Sequence, residues 1–133
     1  MLAVDTNVVI RLLTADDAKQ VAAAQALFQR SAIWISKTVL LEAAWVLDSL
    51  YGMEDGAICL AFQSLLGLEN VTVEDEPSIQ TAFTLTMAGV EFADAIHLSG
   101  RPDGAEFFTF DRDLVRQTKR LGVERVSLVP SKK

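Results

Sequence analysis

Short apolar runs rich in β-branched residues alternate along the chain with longer stretches whose apolar positions recur every three to four residues. The first kind of run predicts buried strands and the second amphipathic helices. Strands are predicted near 2–5, 33–35, 71–74, 106–109 and 125–129. The first long helix is predicted to begin around Asp16 and run to Arg30, with Val21, Ala24, Leu27 and Phe28 on its inner face. Thr38 is the expected N-cap of a second helix over 39–51, stopped by Gly52. A third, 55–66, carries Ile58, Phe62, Leu65 and Leu66 and ends at Gly67. Pro77 suits the opening of a fourth that runs towards Ala88 and Gly89. A short helix over 92–99 and a last one over 112–121, closed by Gly122, complete the set, and Pro130 to Lys133 reads as a tail.

Strands that alternate with helical crossovers define an α/β fold with a parallel sheet. With 133 residues and half of them apolar, the chain suffices for one domain, 1–133, that buries roughly two-thirds of its unfolded surface. There is no internal repeat, low-complexity stretch or interior linker. The single Cys59 excludes an internal disulfide, and neither a signal sequence nor a long apolar span is present, so a soluble cytoplasmic protein with no membrane association is expected. The net charge of -6 argues against a surface that coats nucleic acid generally, though a local basic patch is compatible with it.

That negative balance changes meaning once four acids are considered together. Asp5 follows Leu2-Ala3-Val4, Glu42 lies within Val39 to Leu47, Asp94 interrupts Phe92 to Leu98, and Asp111 closes Phe107 to Phe110. Carboxylates among apolar residues are rarely buried unless paired or bound to metal. Asp5 and Asp111 fall at the carboxyl ends of predicted strands, where open α/β sheets place their ligands. Glu42 and Asp94 fall in the first turns of predicted helices that can lean over the same edge. Four carboxylates gathered there would repel one another unless a cation neutralised them, which points to a divalent metal site.

Each residue also has a plainer role. Asp5 is suited to capping backbone amides near its strand end, Asp111 to capping the last helix, and Glu42 and Asp94 to favourable first-turn positions in the helix field. Asp113 is either a further ligand acting through water or a surface acid. The last helix sets Arg112, Arg116, Lys119 and Arg120 largely along one side, able to attract phosphates or simply to face water, with Arg11 a lesser candidate for phosphate contact. His97, three residues after Asp94, reads as a packed, hydrogen-bonded residue, and Cys59, Trp34, Trp45 and Phe62 read as core or interface residues.

The segments Val4-Asp5-Thr6-Asn7, Leu41-Glu42-Ala43-Ala44, Phe92-Ala93-Asp94-Ala95-Ile96-His97-Leu98 and Thr109-Phe110-Asp111, in this order and at these intervals, resemble the PIN-domain ribonucleases. The likeness is greatest to the VapC toxins of toxin-antitoxin pairs and covers nearly the whole chain. It implies a three-layer α/β/α sandwich around a parallel sheet of about five strands. It also implies a metal-dependent endoribonuclease whose acidic pocket is Asp5, Glu42, Asp94 and Asp111, loaded with Mg²⁺ or Mn²⁺, with Thr6, Asn7 and Thr109 orienting the ligands. Hard cations select such oxygen donors. The implied substrate is a structured RNA of the tRNA or rRNA class, and the implied partners are a second copy of the chain and a cognate, VapB-like antitoxin. The helices around Leu27, Phe28, Trp45 and Phe62 are expected to meet that antitoxin.

Four other functions compete. One is a housekeeping PIN nuclease of RNA processing or decay. A receiver-like domain that binds Mg²⁺ would need a phosphate-accepting Asp on a central strand and a Lys near Thr109-Phe110-Asp111, and neither is found. A catalytically inactive binding module would not need the intact acidic set. A haloacid-dehalogenase-type phosphatase is disfavoured because Asn7 stands where its second Asp is required.

Overall fold

A computed structural model describes residues 1–132. Among these residues the elements run β1 (Leu2–Ala3), α1 (Thr6–Leu13), α2 (Ala18–Arg30), β2 (Ile33–Ile35), α3 (Lys37–Tyr51), α4 (Asp55–Leu66), β3 (Val71–Val73), α5 (Glu76–Met87), α6 (Phe92–Ser99), β4 (Phe107–Thr109), α7 (Arg112–Arg120) and β5 (Val126–Leu128). All pairings are parallel, so the predicted α/β class is the one observed. The five strands form two hydrogen-bonded sets, β1-β2-β3 and β4-β5. In the first, Ala3 is level with Trp34 and Trp34 with Thr72; in the second, Phe107 is level with Val126.

Helix α1 is the element that the periodicity does not predict. Val8, Val9 and Ile10 are three β-branched residues in a row, which disguises the change of period. The change is made at Asp5, whose Oδ1 accepts a hydrogen bond from the Val8 N–H at 3.3 Å and so caps the new helix. Val9 and Ile10 then turn into the core.

A second difference concerns α3. Its cap is Ser36, whose Oγ accepts from the Val39 N–H at 3.2 Å, while the Thr38 hydroxyl sits 3.0 Å from Ser36 Oγ. The helix therefore starts earlier than predicted, and Glu42 lies in its second turn instead of its first. At the other end Gly52 takes φ +65°, the left-handed conformation that a side chain resists.

The core draws on every layer. Ile33 and Ile35 of β2, Leu40 and Leu47 of α3, Ile58 and Phe62 of α4, Ile79 and Phe83 of α5, and Phe92 of α6 are wholly or almost wholly buried. Phe92 is the junction, its ring centroid 5.7 Å from that of Phe62 and 6.2 Å from that of Phe83. Its backbone N–H, one of the donors a helix start leaves unpaired, is held by Asp55 Oδ2 at 3.0 Å. These contacts fix where α6 begins, and hence where Asp94 stands.

Candidate active site

Asp5 leaves β1 and opens α1, exposed to solvent. It shares a small cavity of about 290 Å³ with Thr6, Asn7, Glu42, Trp45 and Val46. Glu42, also exposed, faces a second cavity of about 440 Å³, lined among others by Trp45, Asp48, Asp55, Glu91 and Ala93. One carboxylate thus borders both cavities. A further groove, about 1130 Å³, is lined in part by Leu12, Phe28, Leu65 and Leu68 and touches none of the four acids.

Asp94 is the third residue of α6 and is half-buried. Burial pushes its carboxyl above the usual range, the negative charge of Asp111 pushes it further, and His97 one turn along opposes both. Asp111 is exposed and caps α7, its Oδ1 accepting from the N–H groups of Asp113 at 2.9 Å and Leu114 at 3.1 Å. The capping roles read for Asp5 and Asp111 are therefore real. Each cap uses one carboxylate oxygen for the helix.

The structure brings the acids together as pairs. Asp5 and Glu42 border one cavity, and Asp94 and Asp111 are coupled through their charges. Among the described residues no three His, Cys, Asp or Glu side chains converge closely enough to hold an ion jointly. Three of the four acids, Asp5, Glu42 and Asp111, are exposed. The donors suit a hard divalent cation in their chemistry, being anionic oxygens only, with Asp94 raised by burial and like charge.

Sequence reasoning did not single out Glu91, Asp48 or Asp55. Burial raises the Glu91 carboxyl, and the charges of Asp94, Asp55, Asp48 and Asp111 add to the effect. A visible signal was the spacing of Glu91 and Asp94, one turn apart at the start of α6.

The supporting residues are distributed as follows. Thr6 is buried at the first position of α1, and Asn7 is exposed beside the Asp5 cavity. Thr109 Oγ1 accepts a hydrogen bond from the Asp111 N–H at 3.0 Å. Asp113 is paired with Arg116. Arg112, Arg116, Lys119 and Arg120 are all exposed on α7. Arg11 is engaged by Gln20 and, at 3.4 Å, by Asp16.

His97 is exposed, not packed as expected, because α6 buries Ala95, Ile96 and Leu98 on its other sides. Trp45 is 66 % exposed, whereas Phe62 and Cys59 are fully buried. Phe28 is buried as well, as expected of the inner face of its helix, so Trp45 is the ring of this group that is left exposed.

Parallel strands with helical crossovers, and carboxylates just beyond the strand ends, define an α/β protein of the class that places its ligand site at this edge of the sheet. The PIN domain family model matches residues 2–120, a span that contains all four acids, and the chain belongs to the PIN domain family. PIN domains are nucleases that generally use divalent metal ions, which makes this chain a hydrolase acting on nucleic acid. A search of the curated proteins found no match. Among the described residues no helix is long and apolar enough to cross a membrane.

Proposed function

We propose that this chain is a metal-dependent endoribonuclease toxin, silenced by a cognate antitoxin, that cuts structured RNA of the tRNA or rRNA class. The observation that carries the reading is the PIN domain match over residues 2–120, a span that contains Asp5, Glu42, Asp94 and Asp111. The pair Asp94 and Asp111 and the pair Asp5 and Glu42 would supply the oxygen ligands of Mg²⁺ or Mn²⁺. When bound, such a cation supplies a Lewis acid that activates water and neutralises phosphoryl charge. Hydrolysis adds water across the bond between phosphorus and the 3′ oxygen, leaving a 5′-phosphate and a 3′-hydroxyl. Thr109 holds the turn that aims Asp111, and Arg112, Lys119 and Arg120 attract the phosphates that flank the cut.

The groove bounded by Leu12, Leu13, Phe28 and Leu68, with Gln25, Gln29 and Glu69 at its polar side, suits an amphipathic helix of the antitoxin, and exposed Trp45 suits either that contact or a homodimer seam.

The test is cleavage of end-labelled tRNA and rRNA with Mg²⁺ or Mn²⁺, against EDTA and against Asp94→Asn. Discrete fragments that need metal and vanish in the variant support the reading. A variant that cuts as well as the parent removes Asp94 from the site.

A further inference from the structure

Phe110 is 83 % exposed and Phe108 56 % exposed, although both lie well inside the chain. Exposure alternates along β4 and its continuation: Phe107 and Thr109 are half-buried, Phe108 and Phe110 face out. This is the pleat of a strand with one face packed and the other free. The backbone beneath the rings is pinned. The Val129 N–H donates to Thr109 O at 2.9 Å, the Asp111 N–H donates to Thr109 Oγ1 at 3.0 Å, and Asp111 in turn caps α7. Phe110 is therefore displayed from a fixed turn, directly between Thr109 and a carboxylate of the acid pair.

The surroundings select an occupant. Helix α7 starts two residues beyond Phe110, and its Arg112, Lys119 and Arg120 are exposed and free of ion pairs among the described residues, in a chain whose net charge is -6. Aromatic rings at alternate strand positions take bases by stacking, and neighbouring cations take the phosphates that link them. A protein surface would cover the rings and leave these cations without a complement.

We propose that Phe108 and Phe110 form a base-stacking platform that seats unpaired nucleotides beside the acid site. This inference rests on the nuclease reading and deepens it. The substrate segment is single-stranded, a loop or an end, because a paired and stacked base has no free face to offer a ring.

Fluorescence anisotropy in EDTA, which prevents cutting, tests the platform with two labelled probes: a single-stranded oligouridine and an abasic sugar-phosphate strand of equal length. The parent is expected to prefer oligouridine by about fivefold to a hundredfold. The double variant Phe108→Ala/Phe110→Ala should erase that preference and leave abasic binding unchanged, while Phe110→Trp keeps it. Both rings are largely exposed, so folding is little disturbed, which thermal unfolding verifies. A parent that binds both probes equally, or a double variant that keeps the preference, overturns the platform. So does a double variant that loses the preference only by falling from a dimer to a monomer in light scattering, which would make the rings a contact between copies. Metal-dependent cleavage by the parent, run in parallel, separates the two readings: cutting without base preference removes only the platform, and base preference without cutting supports the platform and removes the nuclease.

Discussion

The Thr109 hydroxyl accepts the Asp111 backbone N–H at 3.0 Å, tying the last residue of β4 to the cap of α7. The bond costs the site no carboxylate oxygen. It leaves Asp111 Oδ1 to the amides of Asp113 and Leu114 while the turn stays fixed by a neighbouring side chain. Thr109→Val keeps the shape and removes the acceptor. It is expected to lower kcat/KM on a labelled RNA by about 10–100-fold, the usual effect of losing a group that orients a metal ligand, whereas Thr109→Ser retains activity. Equal rates for Val and Ser at this position would show that the hydroxyl has no such role.

Asp94 carries a pH signature. Burial and the charge of Asp111 raise its folded-state pKa, so its ionised form opposes folding. For an acid raised on folding, stability is lost as pH climbs from the unfolded pKa through the folded one, and the cost persists above. Asp94→Asn should therefore melt higher than the metal-free parent at neutral pH, with the advantage shrinking in acid. A saturating divalent cation should stabilise the parent by about 2.7 kcal/mol at a hundred times Kd, and the variant far less. Melting curves across pH, with and without Mn²⁺, decide both points; a cation shift that survives in Asp94→Asn would place the ion elsewhere.

Asn70 ties distant segments together. Its amide donates to the Phe28 carbonyl and, at 2.8 Å, to that of Ser31, closing the end of α2 against the start of β3. Asn70→Ala leaves these part-buried carbonyls unpaired and is expected to cost about 1–3 kcal/mol. Denaturant unfolding measures the loss. Cleavage per folded molecule should be unaffected, since none of the four acids touches this junction.

Tyr51 and Asp16 form a second pH-dependent tie. The Tyr51 hydroxyl donates to Asp16 Oδ2 at 2.6 Å and is the chief cause of the lowered Asp16 carboxyl. An acid depressed on folding stabilises above its unfolded pKa and loses that contribution as pH falls through the folded one. Tyr51→Phe should thus melt below the parent at neutral pH, and the two curves should converge in acid. A gap of constant size across that range would mean that the lost hydroxyl acts through packing alone.

Local pattern determined much of this protein. Apolar periodicity placed six of the helices to within a few residues, because each has a core face and a glycine, proline or capping residue at an end. The β-branched runs placed all five strands. Helix α1 was hidden, since Val8-Val9-Ile10 reads as strand and only the Asp5 cap reverses it. The start of α3 was misplaced for a related reason: Ser36 and Thr38 are both good caps, and the three-dimensional path chose Ser36.

The four acids were legible as chemistry, through residue type and order, and the family match spans all of them. Their grouping was not. That Asp5 shares a cavity with Glu42 depends on how α1 meets α3, and that Asp94 feels Asp111 and Glu91 depends on where Phe92 seats α6 against Phe62 and Phe83. The exposure of Trp45, Phe108 and Phe110 likewise waited on the fold. Sequence determines periodicity, caps and donor types because these act between residues a few positions apart. Which side chains meet, and which rings are left facing water, is decided by packing between elements distant in the chain.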